Sequence, residues 1–273
     1  MTYGVQGATV RFGTTTALDD VTVEVPGGSV VAVVGGDGAG KSTLLRALVG
    51  EVALDSGTVS APDAGSIGYL TASAGSWAAL TVRQNLDFVA GIYGVTGEAL
   101  EARRAELLAR ADLASAADRL ASQLSGGMRR KLGFSMAMVH RPALLVLDEP
   151  STGVDPVSRI DLWRLVTQAA ASGAAVLMST TYLDEAERAA SLVVLDAGRV
   201  LAAGPWDDVR ATFVGTVTSA PAAVRPEWAW RRGRAVHEYW APGEGQHGEA
   251  IEPDLEDVVI ALSLLRRREA VAS

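Results

Sequence analysis

Apolar and polar residues alternate in Thr22-Val23-Glu24-Val25, and after the turn at Pro26-Gly27-Gly28 comes an unbroken apolar run, Val30-Val31-Ala32-Val33-Val34. Alternation predicts a strand with one wet face, and a short continuous run bounded by glycine predicts a strand buried on both faces. Residues 143–147 and 175–179 repeat the continuous type. Helical patterns fall between these runs. Lys41-Ser42-Thr43-Leu44-Leu45-Arg46-Ala47-Leu48 has helical periodicity, residues 98–114 are rich in Ala, Leu, Glu and Arg, and residues 160–171 form an amphipathic pattern. Thr81 is placed as an N-cap, and most of 80–142 reads as helix. Two short apolar segments, 192–195 and 199–202, flank a turn at Asp196-Ala197-Gly198. The alternation of strands with helices predicts an α/β domain with a largely parallel sheet.

The last stretch has a different texture. Trp228, Trp230 and Trp240 surround Arg231-Arg232-Gly233-Arg234, which reads as a hairpin turn. The tryptophans are expected to form a small core rather than a ligand cage. Residues 242–248, with Gly243, Gly245 and Gly248, read as a linker, and 254–267 resumes a helical pattern. Arg266-Arg267-Arg268 is expected to be a solvated helix end, where cations complement the dipole.

Composition narrows the function classes. The chain has 273 residues, 48% apolar and 21% charged, too apolar for disorder. Its net charge of −8 argues against coating nucleic acid, which needs a basic surface. The absence of cysteine excludes disulfides, thiolate metal sites and cysteine nucleophiles, and suits a reducing compartment. The N-terminal residues lack the basic and apolar regions of a signal peptide. No apolar run approaches the roughly 18 residues of a spanning helix, so a membrane role is expected to run through a partner. All basic residues but Lys41 and Lys131 are arginine. A lysine that resists such a bias invites the question of what needs a compact ammonium on a thin stem.

Lys41 has an answer. Gly35-Gly36-Asp37-Gly38-Ala39-Gly40-Lys41-Ser42 fits G-x-x-x-x-G-K-[ST], between a predicted buried strand and a predicted helix. Glycines let backbone N–H groups face a phosphate, and the helix N-terminus adds its dipole. Lys41 would hold the β- and γ-phosphates of a nucleotide and Ser42 would ligate Mg²⁺. A second piece, Leu145-Val146-Leu147-Asp148-Glu149, ends a buried strand in two carboxylates. Asp148 suits a Mg²⁺ site and Glu149 can polarise an attacking water. The third, Leu124-Ser125-Gly126-Gly127-Met128, is weak alone, but precedes a predicted helix over 129–139 and could offer another phosphate-facing N-terminus. No comparable argument attaches to Lys131.

The order of these three pieces resembles the ATP-binding subunit of ABC transporters over residues 2–205. The resemblance implies a RecA-like P-loop core, with an antiparallel β part and an α-helical subdomain. It places that core at 2–79 and 143–205, the helical signature subdomain at 80–142 and a small C-terminal extension at 206–273. It implies a head-to-tail dimer holding two Mg-ATP, each between one chain's Gly35, Asp37, Gly38, Ala39, Gly40, Lys41, Ser42 and Thr43 and the other's Ser125, Gly126 and Gly127. Phe12 sits where the family stacks an aromatic ring on adenine. Ser151-Thr152-Gly153-Val154-Asp155-Pro156 resembles the family's D-loop.

Two positions depart from the family. Ala72 stands where a Gln is expected and Thr181 where a His is expected. Neither can reproduce the lost contact: Ala has no side-chain oxygen and Thr is shorter and not an imidazole. Together with Glu149 retained and the signature segment intact, this resembles the degenerate half of an unequal pair in ABC-2-type exporters. Residues 253–262 also resemble that group's C-terminal helix. The expected partners are a second, non-identical ATP-binding subunit and ABC-2-type permease subunits, with no nucleic acid, on the inner face of the cell membrane. Three alternatives stay open: a homodimeric slow ATPase serving its own exporter, a soluble ABC ATPase acting on ribosomes or DNA, and a purely structural ATP-binding module.

Overall fold

The computed structural model describes residues 1–73 and 75–272. In chain order the elements are β1 (Thr2–Phe12), β2 (Thr15–Pro26), β3 (Val30–Val34), α1 (Lys41–Leu48), β4 (Ser56–Ser60), β5 (Ile67–Leu70), α2 (Val82–Ile92), α3 (Gly97–Arg110), α4 (Gly126–Ala137), β6 (Leu144–Leu147), α5 (Pro156–Ala171), β7 (Ala175–Ser179), α6 (Leu183–Ala186), β8 (Ser191–Asp196) and β9 (Arg199–Gly204). After them come α7 (Trp206–Thr212), β10 (Thr216–Ala220), β11 (Ala229–Arg232), β12 (Ala235–Trp240), β13 (Glu249–Ile251) and α8 (Leu255–Ala272).

The continuous apolar runs lie at the centre of a six-stranded sheet ordered β5-β6-β7-β3-β8-β9. All neighbours are parallel except β8 and β9, which form the hairpin around residues 196–198. Side chains alternate across this sheet. Val30, Ala32, Val34, Leu145, Leu147, Val176 and Met178 face the core shared with the helices. Val31, Val33, Leu144, Val146, Ala175 and Leu177 face a second core closed by α1 and the antiparallel sheet β2-β1-β4. A run apolar at every position is thus two cores read alternately.

The helical segment is held by local chemistry as well as burial. Thr81 caps α2 in a reciprocal box with Gln84, as its N-cap placement anticipates. Asp155 caps α5, which starts at Pro156, earlier than the amphipathic pattern alone suggests, because the cap and an N1 proline fix its first turn. Arg103 donates to the carbonyls of Met138 and Val139 at the end of α4. The buried Lys131 reaches Asp161 on α5 at 3.4 Å, so its task is to tie α4 to α5. Among the described residues no helix is long and apolar enough to cross a membrane.

Residues beyond β9 form a second sheet, β11-β12-β10-β13, with the anticipated hairpin between β11 and β12. Trp240 is buried, its indole N–H bonded to Thr218 Oγ1 and its face covered by Arg225, so it serves as core. Two expectations need correction. Residues 242–248 join strands of this one sheet, because β13 returns to pair with β10, so they are a loop rather than a linker. The arginine run is not simply solvated: Arg266 donates to the Asp196 carbonyl, and Arg268 stacks on Trp228 and pairs with Glu227.

Candidate functional site

The parallel strand ends deliver the candidate residues to one place. β3 runs into the glycine loop, β6 into Asp148 and Glu149, and β7 lies between them in the sheet. Beside the loop is a cavity of about 450 Å³, lined by Thr15, Thr16, Ala17, the loop residues from Asp37 to Thr43, Glu149 and Ala197. Gly40 precedes α1 at φ 105°, and a Cβ there would lie 2.6 Å from the Ala17 carbonyl oxygen. Only glycine combines that backbone with that approach.

Lys41 is 6% exposed and donates to the carbonyls of Gly35 and Gly36 at 2.8 and 3.1 Å. Its ammonium lies 3.8 Å from Glu149 Oε1. Ser42 Oγ donates to Asp148 Oδ1 at 3.1 Å, and Asp148 is 2% exposed. Two oxygens of the kind hard divalent cations take therefore converge at the start of α1. This pair of oxygen donors fits Mg²⁺, which takes few protein ligands and is completed by phosphate and water.

Glu149 holds a left-handed backbone, φ 47°, which costs energy in a residue other than glycine. Its N–H donates to Ser179 Oγ at 2.9 Å, and that hydroxyl donates to Asp148 Oδ1 at 2.8 Å. Ser179, fully buried at the end of β7, thus fixes both carboxylate residues. Thr152 Oγ1 adds a bond to Glu149 Oε2.

The remaining sequence-predicted residues lie around this nucleus. Phe12 is 55% exposed on the β1–β2 hairpin, opposite the cavity-lining Thr15, but does not itself line the cavity. Ala72 follows β5, whose Leu70 carbonyl accepts from the Asp148 N–H. Thr181 follows the buried Thr180 and is exposed. Neither Ala72 nor Thr181 lines the cavity. Ser125 caps α4 by accepting from the Met128 N–H. Gly126 is exposed, whereas Gly127 is buried against Ser158 of α5, with no room for a Cβ. This segment is absent from the cavity wall.

Residues 18–152 match the family described as ABC transporter. The chain is 37% identical over 230 residues to the Daunorubicin resistance ATP-binding protein DrrA3 of Streptomyces coeruleorubidus, covering 77% of this chain and 70% of that protein. The chain belongs to the ABC transporter ATP-binding family. It is also 39% identical over 209 residues to the Probable multidrug ABC transporter ATP-binding protein YbhF of Escherichia coli (strain K12), covering 73% of this chain and only 36% of that longer protein. Among solved structures, an ATP-binding subunit of an ABC transporter superposes with a TM-score of 0.72 at 30% identity, covering 78% of this chain and 93% of that one. A dimeric bacterial ABC transporter cassette shares the fold at 21% identity, with a TM-score of 0.67, covering 75% and 98%. The fold is thus the RecA-like P-loop one, and ATP hydrolysis is the activity expected of the family.

Three side chains of this cassette escape a reading of the sequence. Ser179 is the first; a polar residue closing an apolar strand is the only signal. Arg130 of α4 is the second. It donates to the Thr71 carbonyl at 3.4 Å, burial lowers its guanidinium, and the carboxylates of Glu149 and Asp148 oppose that shift. Glu185 is the third. It is 3% exposed and accepts from Ser151, Thr180 and Arg159, binding the D-loop-like segment to the stretch that carries Thr181.

Proposed function

We propose that this chain is the ATP-binding subunit of an ABC-2-type exporter, that it binds Mg-ATP at a degenerate site, and that its intact signature segment completes a catalytic site on a non-identical ATP-binding partner. The names of its relatives support export: daunorubicin resistance for DrrA3, and Nod factor export for the Nod factor export ATP-binding protein I of Neorhizobium galegae, 35% identical over 216 residues. Permease subunits would hold the chain peripherally at the inner face of the cell membrane. In this reading 2–79 with 143–205 form the ATP-binding core, 80–142 the signature subdomain and 206–273 an extension. A dimeric relative of the same fold supports pairing.

One observation carries the unequal-site reading. Lys41, Ser42 and Asp148 are buried or half-buried and bonded within the nucleus, whereas Ala72 and Thr181 occupy exposed loop positions without an amide or an imidazole. Amides of the glycine loop and the α1 N-terminus bind phosphate. Lys41 Nζ would be the cationic donor to phosphate oxygens, and Ser42 and Asp148 would hold Mg²⁺, which when bound would supply charge neutralisation at the phosphates. Phe12, on the hairpin beside the cavity, would stack on the adenine. Glu149 can take a proton from water, and among the described residues no side-chain amide or imidazole lines the cavity beside it. Loss of such positioned groups costs on the order of 10²–10⁴ in rate.

The purified chain should bind ATP with Mg²⁺ and hydrolyse it very slowly. Brisk turnover by the isolated protein, abolished by Glu149→Gln, would overturn the degenerate-site reading. Purification of the native complex tests the partner. A single species of ATP-binding subunit in it would overturn the unequal pair.

A further inference from the structure

The C-terminal extension reaches a turn that borders the cavity. Arg266, on α8, donates from Nη1 to the carbonyl oxygen of Asp196 at 2.6 Å. Asp196 opens the β8–β9 turn, and the next residue, Ala197, lines the cavity at φ 43°. Gly198 then ties the turn to two walls. Its N–H donates to the Ala39 carbonyl in the glycine loop at 2.9 Å, and its own carbonyl accepts from the Asp19 N–H at 2.8 Å. A Cβ on Gly198 would lie 2.8 Å from the Ala17 carbonyl oxygen, so the turn is pressed against a third cavity residue. Arg199 and Asp19 pair across the same junction.

α8 is itself firmly placed. Leu255 and Val258 are fully buried in the main core, which also takes in Val209 of α7. Further along the helix, Arg268 stacks on Trp228 of the extension. A guanidinium on so anchored a helix can hold a carbonyl in one position, and a bond from a charged donor is stronger than a neutral one.

We propose that Arg266 is a positioning residue for the nucleotide cavity: through the Asp196 carbonyl it fixes the turn that walls the cavity, so that the extension sets the chain's affinity for ATP. This rests on the reading above that the cavity takes Mg-ATP. Coupling of this kind is reciprocal, so bound nucleotide must also tighten the extension.

The test uses the full chain and four proteins: wild type, Arg266→Ala, Arg266→Lys and, as a surface control, Arg267→Ala. Titration with a fluorescent ATP analogue in Mg²⁺ gives the Kd. Arg266→Ala should weaken binding on the order of fivefold, the low end of coupling between linked sites. Arg266→Lys, which keeps a charged donor, should restore part of it, and Arg267→Ala should match wild type. A merely structural arginine would lower the melting temperature and leave the Kd in place; equal Kd values for Arg266→Ala and Arg267→Ala overturn the proposal. Hydrogen exchange on the wild type needs no variant to fold. Mg-ATP should slow exchange at 35–43, at 196–198 and along 255–268, and protection confined to 35–43 overturns the proposal. A wild-type chain that binds no nucleotide at all refutes the reading of the cavity, and this inference with it.

Discussion

The two sides of the cavity are built differently. The side proposed to grip phosphate is made of backbone amides, and its three side chains, Lys41, Ser42 and Asp148, are bonded within the nucleus. The side proposed to direct cleavage would rest on single side chains at two loops, the positions that the proposal assigns to Ala72 and Thr181. A function carried by backbone survives any substitution that keeps the loop's shape. One carried by a lone side chain is lost in a single change, with the scaffold intact. The stretch around Thr181 is well bonded: Glu185 accepts from Thr180 and Ser151, and the Tyr182 N–H donates to Thr180 Oγ1.

The sharpest way to break this contrast is to restore the missing groups. Ala72→Gln combined with Thr181→His should raise steady-state ATP turnover, measured as phosphate release, by about 10²-fold or more. Unchanged turnover would mean that the two departures do not limit the site. Removing the grip comes next. Lys41→Ala should weaken Mg-ATP binding roughly a hundredfold in a nucleotide titration, the effect of losing a charged hydrogen-bonding group worth about 3 kcal/mol. Ser179→Ala tests whether the nucleus is cross-braced. It leaves the Glu149 N–H and an Asp148 oxygen short of a partner, and should cost about 1–3 kcal/mol in denaturant unfolding.

The smallest effect concerns the one imidazole packed into the helical region. His140 stacks on Tyr93 at 3.6 Å and its Nε2–H donates to the Ile67 carbonyl, while Nδ1 is buried with no partner. Burial lowers its pKa below the ordinary value. As pH falls below about 6.5 the unfolded chain therefore takes the proton first. Stability that His140 provides above that pH is lost on acidification through the window beneath it. The gap in unfolding free energy between wild type and His140→Gln should be flat above this pH and change below it. ATP turnover should be the same in both, since His140 does not line the cavity.

Much of the site could be read from short segments. The glycine loop, its helix, the Thr81 cap, the Asp148-Glu149 pair and the Asp196-Ala197-Gly198 turn all rest on neighbours in sequence, so local pattern suffices. The outer residues were harder. Arg266 and Arg268 read as solvated because a helix end rich in arginine is ordinarily wet, and their partners Asp196, Glu227 and Trp228 are remote in sequence. Glu185 resembles any acidic residue in a first helical turn until Ser151 and Arg159 are brought to it.

The pattern of the sequence left β1, β4, β10 and β13 unread, but by itself it determined the buried strands within 30–34, 143–147 and 175–179, the helix after the glycine loop and the Asp148-Glu149 pair. Each depends on backbone preference or side-chain identity within a few positions. Tertiary structure alone decided that β6 lies beside β7 and β7 beside β3, and so that Ser179 meets Asp148, Ser42 meets Asp148 and Lys41 faces Glu149. Strand order is set by which faces bury best against one another across the whole chain, and that choice is a sum over distant contacts that no short window contains.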